Sequence, residues 1–141
     1  TVSSMQLPYD EAGIELELVI AKKAPIMING DDDRLHQLFA NLMNNTLKYT
    51  NAPGKLTVTL TREGKKAVVL LEDTPPGVSD EDIKHIFEQF FRVENSRNRA
   101  TGGRGLGLAI CTNIVDGHQG SITAYHSPYG GLGIRVEFPL N

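Results

Sequence analysis

Two strand-like runs, "KLTVTLTR" (55–62) and "AVVLLED" (67–73), stand only four residues apart, across Glu63-Gly64-Lys65-Lys66. A connection that short joins strands only as an antiparallel hairpin, because a parallel pair needs a crossover of a dozen residues or more. The same constraint recurs near the end of the chain, where "SITAYHS" and "GIRVEFPL" flank Pro128-Tyr129-Gly130-Gly131. "GIELELVI" (13–20) sets Ile14, Leu16, Leu18 and Ile20 against Glu15 and Glu17, the alternation of a half-buried strand. "PIMING" (25–30) predicts a second short strand.

Helical spacing is clearest in "DDDRLHQLFANLMNNTLKYT" (31–50). Leu35, Leu38, Phe39, Leu42, Met43 and Leu47 recur on one face, and the leading aspartates cap the helix and suit its dipole. Ser79-Asp80-Glu81-Asp82 is a capping box ahead of Ile83, Ile86, Phe87 and Phe90, which predicts a short helix. Residues 92–104 have no apolar period and read as a mobile loop, and 105–117 read as a helix ended by Gly117. Strands in adjacent pairs favour an α+β fold: a two-layer sandwich with a mixed, mainly antiparallel sheet and about three helices on one face. The opening residues, 1–12, are weakly patterned and read as an edge or a linker to the domain at 13–141.

The 141 residues suit one domain with a real core. A net charge of -3 gives no global reason to expect nucleic acid or an anionic membrane as partner. The single cysteine, Cys111, rules out a disulfide framework or a cysteine metal site within the chain. No apolar run approaches the ~20 residues that span a bilayer, so a cytoplasmic setting without membrane contact is expected.

Four clusters carry chemical possibilities. Taken at 100° per residue, Asn41, Asn45 and Lys48 fall together at roughly 220–280° from Leu35, beside the apolar arc. Amide oxygens suit Mg²⁺ and an ammonium suits phosphate, although any amphipathic helix has such a polar face. Asp73 ends an apolar strand and enters Pro75-Pro76-Gly77; it is a turn-capping aspartate or an acceptor for a ligand amine. Phe87, Phe90 and Phe91 anchor the start of the loop beside Arg92. "GGRGLGLAI" (102–110) lacks the Lys-Ser or Lys-Thr of a P-loop and does not follow a strand, so it is neither familiar phosphate fingerprint. Alone it is a tight loop entering a helix whose free N–H groups could face an anion.

In this order the clusters resemble the catalytic ATP-binding domain of sensor histidine kinases, a Bergerat-fold family shared with gyrase B, heat-shock protein 90 and MutL. "RLHQLFANLMNNTLKYT" is similar to the family's N box, "DTPPG" to its first glycine box and "IFEQFFR" to its F box. "GGRGLGLAI" is similar to its second glycine box, and "GGLGI" is a weaker third. The resemblance covers roughly residues 13–140. It implies that Asn45 holds Mg²⁺ with Asn41 assisting, that Lys48 meets phosphate, and that Tyr49 packs near the nucleotide. It implies that Asp73 accepts from the adenine amine, with Gly77 letting the ring lie close. Arg92, with Arg97 or Arg99, would meet the terminal phosphates. Residues 92–104 would form a lid over ATP, hinged at Gly103, Gly105, Leu106, Gly107 and Leu108.

Two positions depart from the pattern. Pro75 replaces the first glycine of D-x-G-x-G, and Ile134 stands where many relatives carry a hydroxyl that supports the aspartate, a place water could take. Asn41 stands where ATP-hydrolysing relatives carry a glutamate, and an amide is no general base. The resemblance therefore implies slow hydrolysis and phosphoryl transfer to another acceptor. His36, His85, His118 and His126 all lack the H-E-x-x-T/N-P setting of the phosphorylated histidine, so the acceptor and its dimerising hairpin are expected on a separate domain, with a response regulator as an indirect partner. An anti-sigma-factor-type serine kinase and a nucleotide sensor without catalysis are the alternatives. For the whole kinase, the resemblance implies anchoring in the inner membrane with this domain in the cytoplasm.

Overall fold

The computed structural model describes residues 2–20, 30–87 and 106–140. Its elements are α1 (Val2–Ala12), β1 (Ile14–Ile20), α2 (Asp32–Tyr49), β2 (Gly54–Glu63), β3 (Lys66–Asp73), α3 (Asp80–Ile83), α4 (Leu106–Gly117), β4 (Ser121–His126) and β5 (Leu132–Pro139). The five strands form one sheet in the order β1-β2-β3-β5-β4. Both predicted hairpins are present, and β3 also pairs antiparallel with β5. The β1–β2 pair is parallel, with α2 lying between the two strands in sequence, so the sheet is mixed as expected. The predicted strand at 25–30 lies outside the described residues except for Gly30.

The strands alternate between a core face and an outer face. Cross-strand partners Val58 and Leu71, Leu71 and Ile134, and Val69 and Val136 share the core face. Leu38, Leu42 and Met43 of α2 and Leu108, Cys111, Ile114 and Val115 of α4 belong to the same core cluster. On the outer face, Lys55 pairs with Glu15 and Glu17, and Arg135 bridges Glu63 and Glu137. One face is therefore covered by helices and the other by ion pairs.

Residues 2–12, read as an edge or a linker, instead form a helix packed on the core. Met5 and Tyr9, one turn apart, are both buried, and Gly13 ends the helix at φ +75°. Pro8 inside the helix removes an N–H that a helix interior normally uses, which weakens the local signal.

Two contacts fix the tilt of α2. Asp31 caps it, accepting from Asp33 N–H and Arg34 N–H as the leading aspartates suggested. The Asp31 N–H in turn donates to His118 Nε2 at 3.1 Å, while His118 Nδ1 lies 2.8 Å from the Ile114 carbonyl. With Nε2 accepting, the imidazole proton sits on Nδ1 and is donated to Ile114. The ring thus ties the start of α2 to the end of α4. Midway along, the Cys111 thiol faces the Leu38 carbonyl at 3.6 Å.

Leu38 is fully buried between the helix layer and the sheet. Leu38→Ala should cost about 2–5 kcal/mol in urea unfolding, the range for a truncated core leucine. A loss below 1 kcal/mol would mean that α2 does not pack as described.

Candidate functional site

β3 carries Asp73 at its last position, on the core face, where its register partner on β2 is Leu56. The side chain is only 4% exposed. A carboxyl group in such a place needs donors. Leu132 N–H, at the start of β5, donates to Oδ1 at 2.7 Å, and Thr46 of α2 and Thr50, the residue that caps its end, stand near enough to favour the charged carboxyl. Burial is the dominant influence and pushes the group up to about 6; the Leu132 N–H and then the two hydroxyls pull it back down.

The surrounding backbone is fitted to this side chain. Gly131 N–H donates to the Asp73 carbonyl at 3.1 Å, and a Cβ at Gly131 would collide with Asp73 Oδ1. Gly77 sits at φ +66°, and a Cβ there would lie 2.9 Å from the Gly131 carbonyl carbon. Gly77, Gly131 and Asp73 therefore meet where side chains larger than hydrogen are excluded at both glycines. Pro75, the departure from the family pattern, keeps the turn attached: its carbonyl accepts from Asn51 N–H at 3.2 Å, just past α2. Ile134 is a core residue paired with Leu71, so β5 offers no hydroxyl to Asp73 at that position.

On α2, Asn41 and Asn45 are half-buried, Lys48 is exposed and Tyr49 is half-buried. Asn45 and Tyr49 each directly precede one of the threonines that face Asp73, so one helix carries both the polar stripe and the support of the carboxyl. Leu106 and Gly107 open α4; the Leu108 side chain is in the core, so any contact it makes with a ligand falls to its backbone. Arg92, Arg97, Arg99, Gly103 and Gly105, with the rest of the expected lid at 92–104, lie outside the described residues. Ile86 and Phe87 of the F-box stretch pack on the core. Among the described residues there is no group of three or more His, Cys, Asp or Glu side chains that could hold a metal ion.

Three residues escaped the sequence reading. Thr46 and Thr50 fall at roughly 20° and 60° on the α2 wheel, inside the apolar arc. A hydroxyl in the middle of a buried face signals a buried polar partner. Tyr9, in the weakly patterned opening, is the third: it is fully buried and donates to the Met43 carbonyl at 2.5 Å.

Comparison with known proteins gives the family and the fold. The family described as histidine kinase-, DNA gyrase B- and HSP90-like ATPase matches residues 30–141. The signal transduction histidine-protein kinase BaeS of Escherichia coli K12 is 50% identical over 125 residues, which are 89% of this chain and 27% of BaeS. The chain thus spans about a quarter of that relative. Among solved structures, the mycobacterial sensor histidine kinase MprB superposes with a TM-score of 0.84 over 99% of this chain and 91% of its own, at 24% identity. Full-length ShkA in complex with AMPPNP gives 0.82 at 28% identity, over 99% of this chain and 28% of its own. The chain belongs to this ATPase family, as the catalytic ATP-binding domain of a sensor histidine kinase.

The raised Asp73 carboxyl has a consequence for stability. Its ordinary value is 3.8, so between about pH 4 and 6 the folded chain keeps a proton that the unfolded chain has lost. Stability therefore falls as pH rises through that window, by roughly 3 kcal/mol, and levels off above it. Asp73→Asn lacks this slope. Urea unfolding from pH 4 to 7.5 should show the variant gaining on the wild type up to about pH 6 and then running parallel. Parallel curves throughout would mean that Asp73 is not buried as described.

Proposed function

We propose that this domain binds Mg-ATP and passes its γ-phosphoryl to a histidine on a separate dimerisation domain. The observation that carries the reading is the buried Asp73 carboxyl, held by Leu132 N–H between two glycines that bring backbone close to it. That is an acceptor beside a flat, side-chain-free surface, which suits the exocyclic amine and ring of adenine. The AMPPNP bound to ShkA supports a nucleotide in the equivalent domain here.

The rest of the site follows from the α2 stripe. Asn45, with Asn41, would offer amide oxygens to Mg²⁺, and Lys48 a charge to phosphate. Mg²⁺ is a hard cation that keeps most of its oxygen ligands from water and phosphate, so one or two protein amides fit it without a carboxylate cluster. When bound, it neutralises charge on the β- and γ-phosphates. Arg92 and Arg97 are proposed to meet the terminal phosphates, and the second glycine box to hinge the lid. Asn41 cannot take a proton from water, so a nucleophile that attacks without first losing a proton, such as a neutral imidazole nitrogen, is favoured over hydrolysis. An imidazole nitrogen attacks the γ-phosphorus, the bond to the β–γ bridging oxygen breaks, and ADP leaves. A response regulator would receive the phosphoryl group from that histidine. ATP places this work in the cytoplasm. No helix among the described residues is long and apolar enough to cross a membrane. The whole kinase is proposed to be anchored in the inner membrane, with this domain on the cytoplasmic side.

Two measurements test this. Asn45→Ala should weaken ATP binding with Mg²⁺ about tenfold and leave adenosine binding within about twofold in calorimetry, since a lost ligand costs about 1.4 kcal/mol per decade. Equal losses for both would assign the effect to a disturbed helix. Incubation with ATP and a dimerisation hairpin carrying the acceptor should yield an acid-labile phosphoryl group. An acid-stable product would indicate a serine acceptor, and no product a sensor without catalysis.

A further inference from the structure

The loop that joins β4 to β5, residues 127–131, is closed by its first residue. Ser127 is buried and turns three of its polar groups into the loop. Its N–H donates to the Gly131 carbonyl at 2.9 Å, and its carbonyl accepts from Gly130 N–H at 3.0 Å. Its Oγ accepts from Tyr129 N–H, two residues on, at 3.0 Å, the local bond by which serine shapes turns. The closed loop leans on the turn after β3: a Cβ at Gly130 would lie 3.1 Å from Pro75 Cγ. Where the loop ends, two successive N–H groups meet Asp73. Gly131 N–H donates to its backbone carbonyl at 3.1 Å, and Leu132 N–H to its Oδ1 at 2.7 Å.

We propose that Ser127 is a positioning residue of the nucleotide site: by closing the β4–β5 loop it aims the Leu132 N–H at Asp73 Oδ1, and so sets the direction in which the carboxyl accepts from adenine. The proposal rests on the nucleotide reading of the site. A carboxyl group turns about its Cβ–Cγ bond, and a short hydrogen bond to one oxygen fixes its plane and the directions of the remaining lone pairs. If the loop opens, Leu132 N–H loses its aim and the adenine amine meets a poorly aligned acceptor. The strand ladders do not depend on Ser127. β5 pairs with β3 from Gly133 to Pro139 and with β4 from Leu132 to Glu137. Ser127→Ala therefore removes one acceptor from a loop at the surface and leaves the sheet in place.

The test reads Ser127→Ala in two ways: amide hydrogen exchange at Leu132 and Val136, and calorimetric binding of Mg-ATP in the wild-type and Asp73→Asn backgrounds. Exchange at Leu132 should quicken about tenfold, while Val136, inside the ladders of the central strand, stays within about twofold. Affinity should fall about fivefold in the wild-type background and less than about twofold with Asp73→Asn, because a residue that acts through Asp73 is not additive with it. Ser127→Thr keeps the Oγ acceptor and should restore both readings. Unchanged exchange at Leu132, quickened exchange at Val136 as well, equal affinity losses in the two backgrounds, or a loss that Ser127→Thr leaves in place would each overturn the role. Adenosine binding by the wild type is the separate check: its absence removes the nucleotide reading, whereas adenosine bound with Leu132 exchange unmoved in Ser127→Ala removes only the role of Ser127.

Discussion

The site depends on one buried carboxyl group. Asp73 ends the central run of β3 with almost no access to water, and three elements close around it: the end of α2 near Thr46 and Thr50, β5 through the Leu132 N–H, and the turn before β5, where Gly131 meets both Asp73 and Gly77. Burying a carboxylate opposes folding unless donors meet it. Here they meet it only in part, because burial still wins and the group sits well above its ordinary range. Such a residue costs stability, and the proposed adenine amine would complete its hydrogen bonding.

α2 is where the demands converge. Its apolar face packs on the sheet, its polar stripe carries Asn41, Asn45 and Lys48, which are proposed to meet Mg²⁺ and phosphate, and its buried face carries Thr46 near Asp73. A rotation of about 100° would exchange these roles among neighbouring residues, so the helix has to be held at both ends. His118 and Asp31 hold the start. At the far end the Pro75 carbonyl meets Asn51, and Lys55 N–H donates to Thr74 Oγ1 at 2.9 Å. Proline at position 75 therefore works with a turn that is tied to both α2 and β2.

Much of the fold was legible because its signals are local. Hairpin spacing predicted both antiparallel pairs, period-2 alternation predicted β1, and the leading aspartates with a 3.6-residue period predicted α2. α1 was not legible: among its described side chains the buried ones are Met5 and Tyr9, and Pro8 argues locally against a helix. The pairing of β3 with β5 could not be read either, since no turn joins them and their contact is set by tertiary packing. In the site, Asp73, Gly77 and the α2 stripe were marked by motif spacing. Thr46, Thr50 and Tyr9 were not, because their importance lies in a partner distant in sequence. The one clue was positional: two threonines inside an arc of leucine, methionine and phenylalanine. Ile134 marked a missing hydroxyl on β5, and in the fold it is a core residue paired with Leu71.

The most direct measurement is a calorimetric titration of wild type and Asp73→Asn with adenosine, which lacks phosphates and so reads the buried acceptor alone. If Asp73 is kept at the expense of stability to receive the adenine amine, the wild type binds, and the variant, presenting a donor to a donor, loses about 1–3 kcal/mol of affinity. Equal binding by a folded Asp73→Asn protein would contradict that role and leave the buried carboxyl without a function.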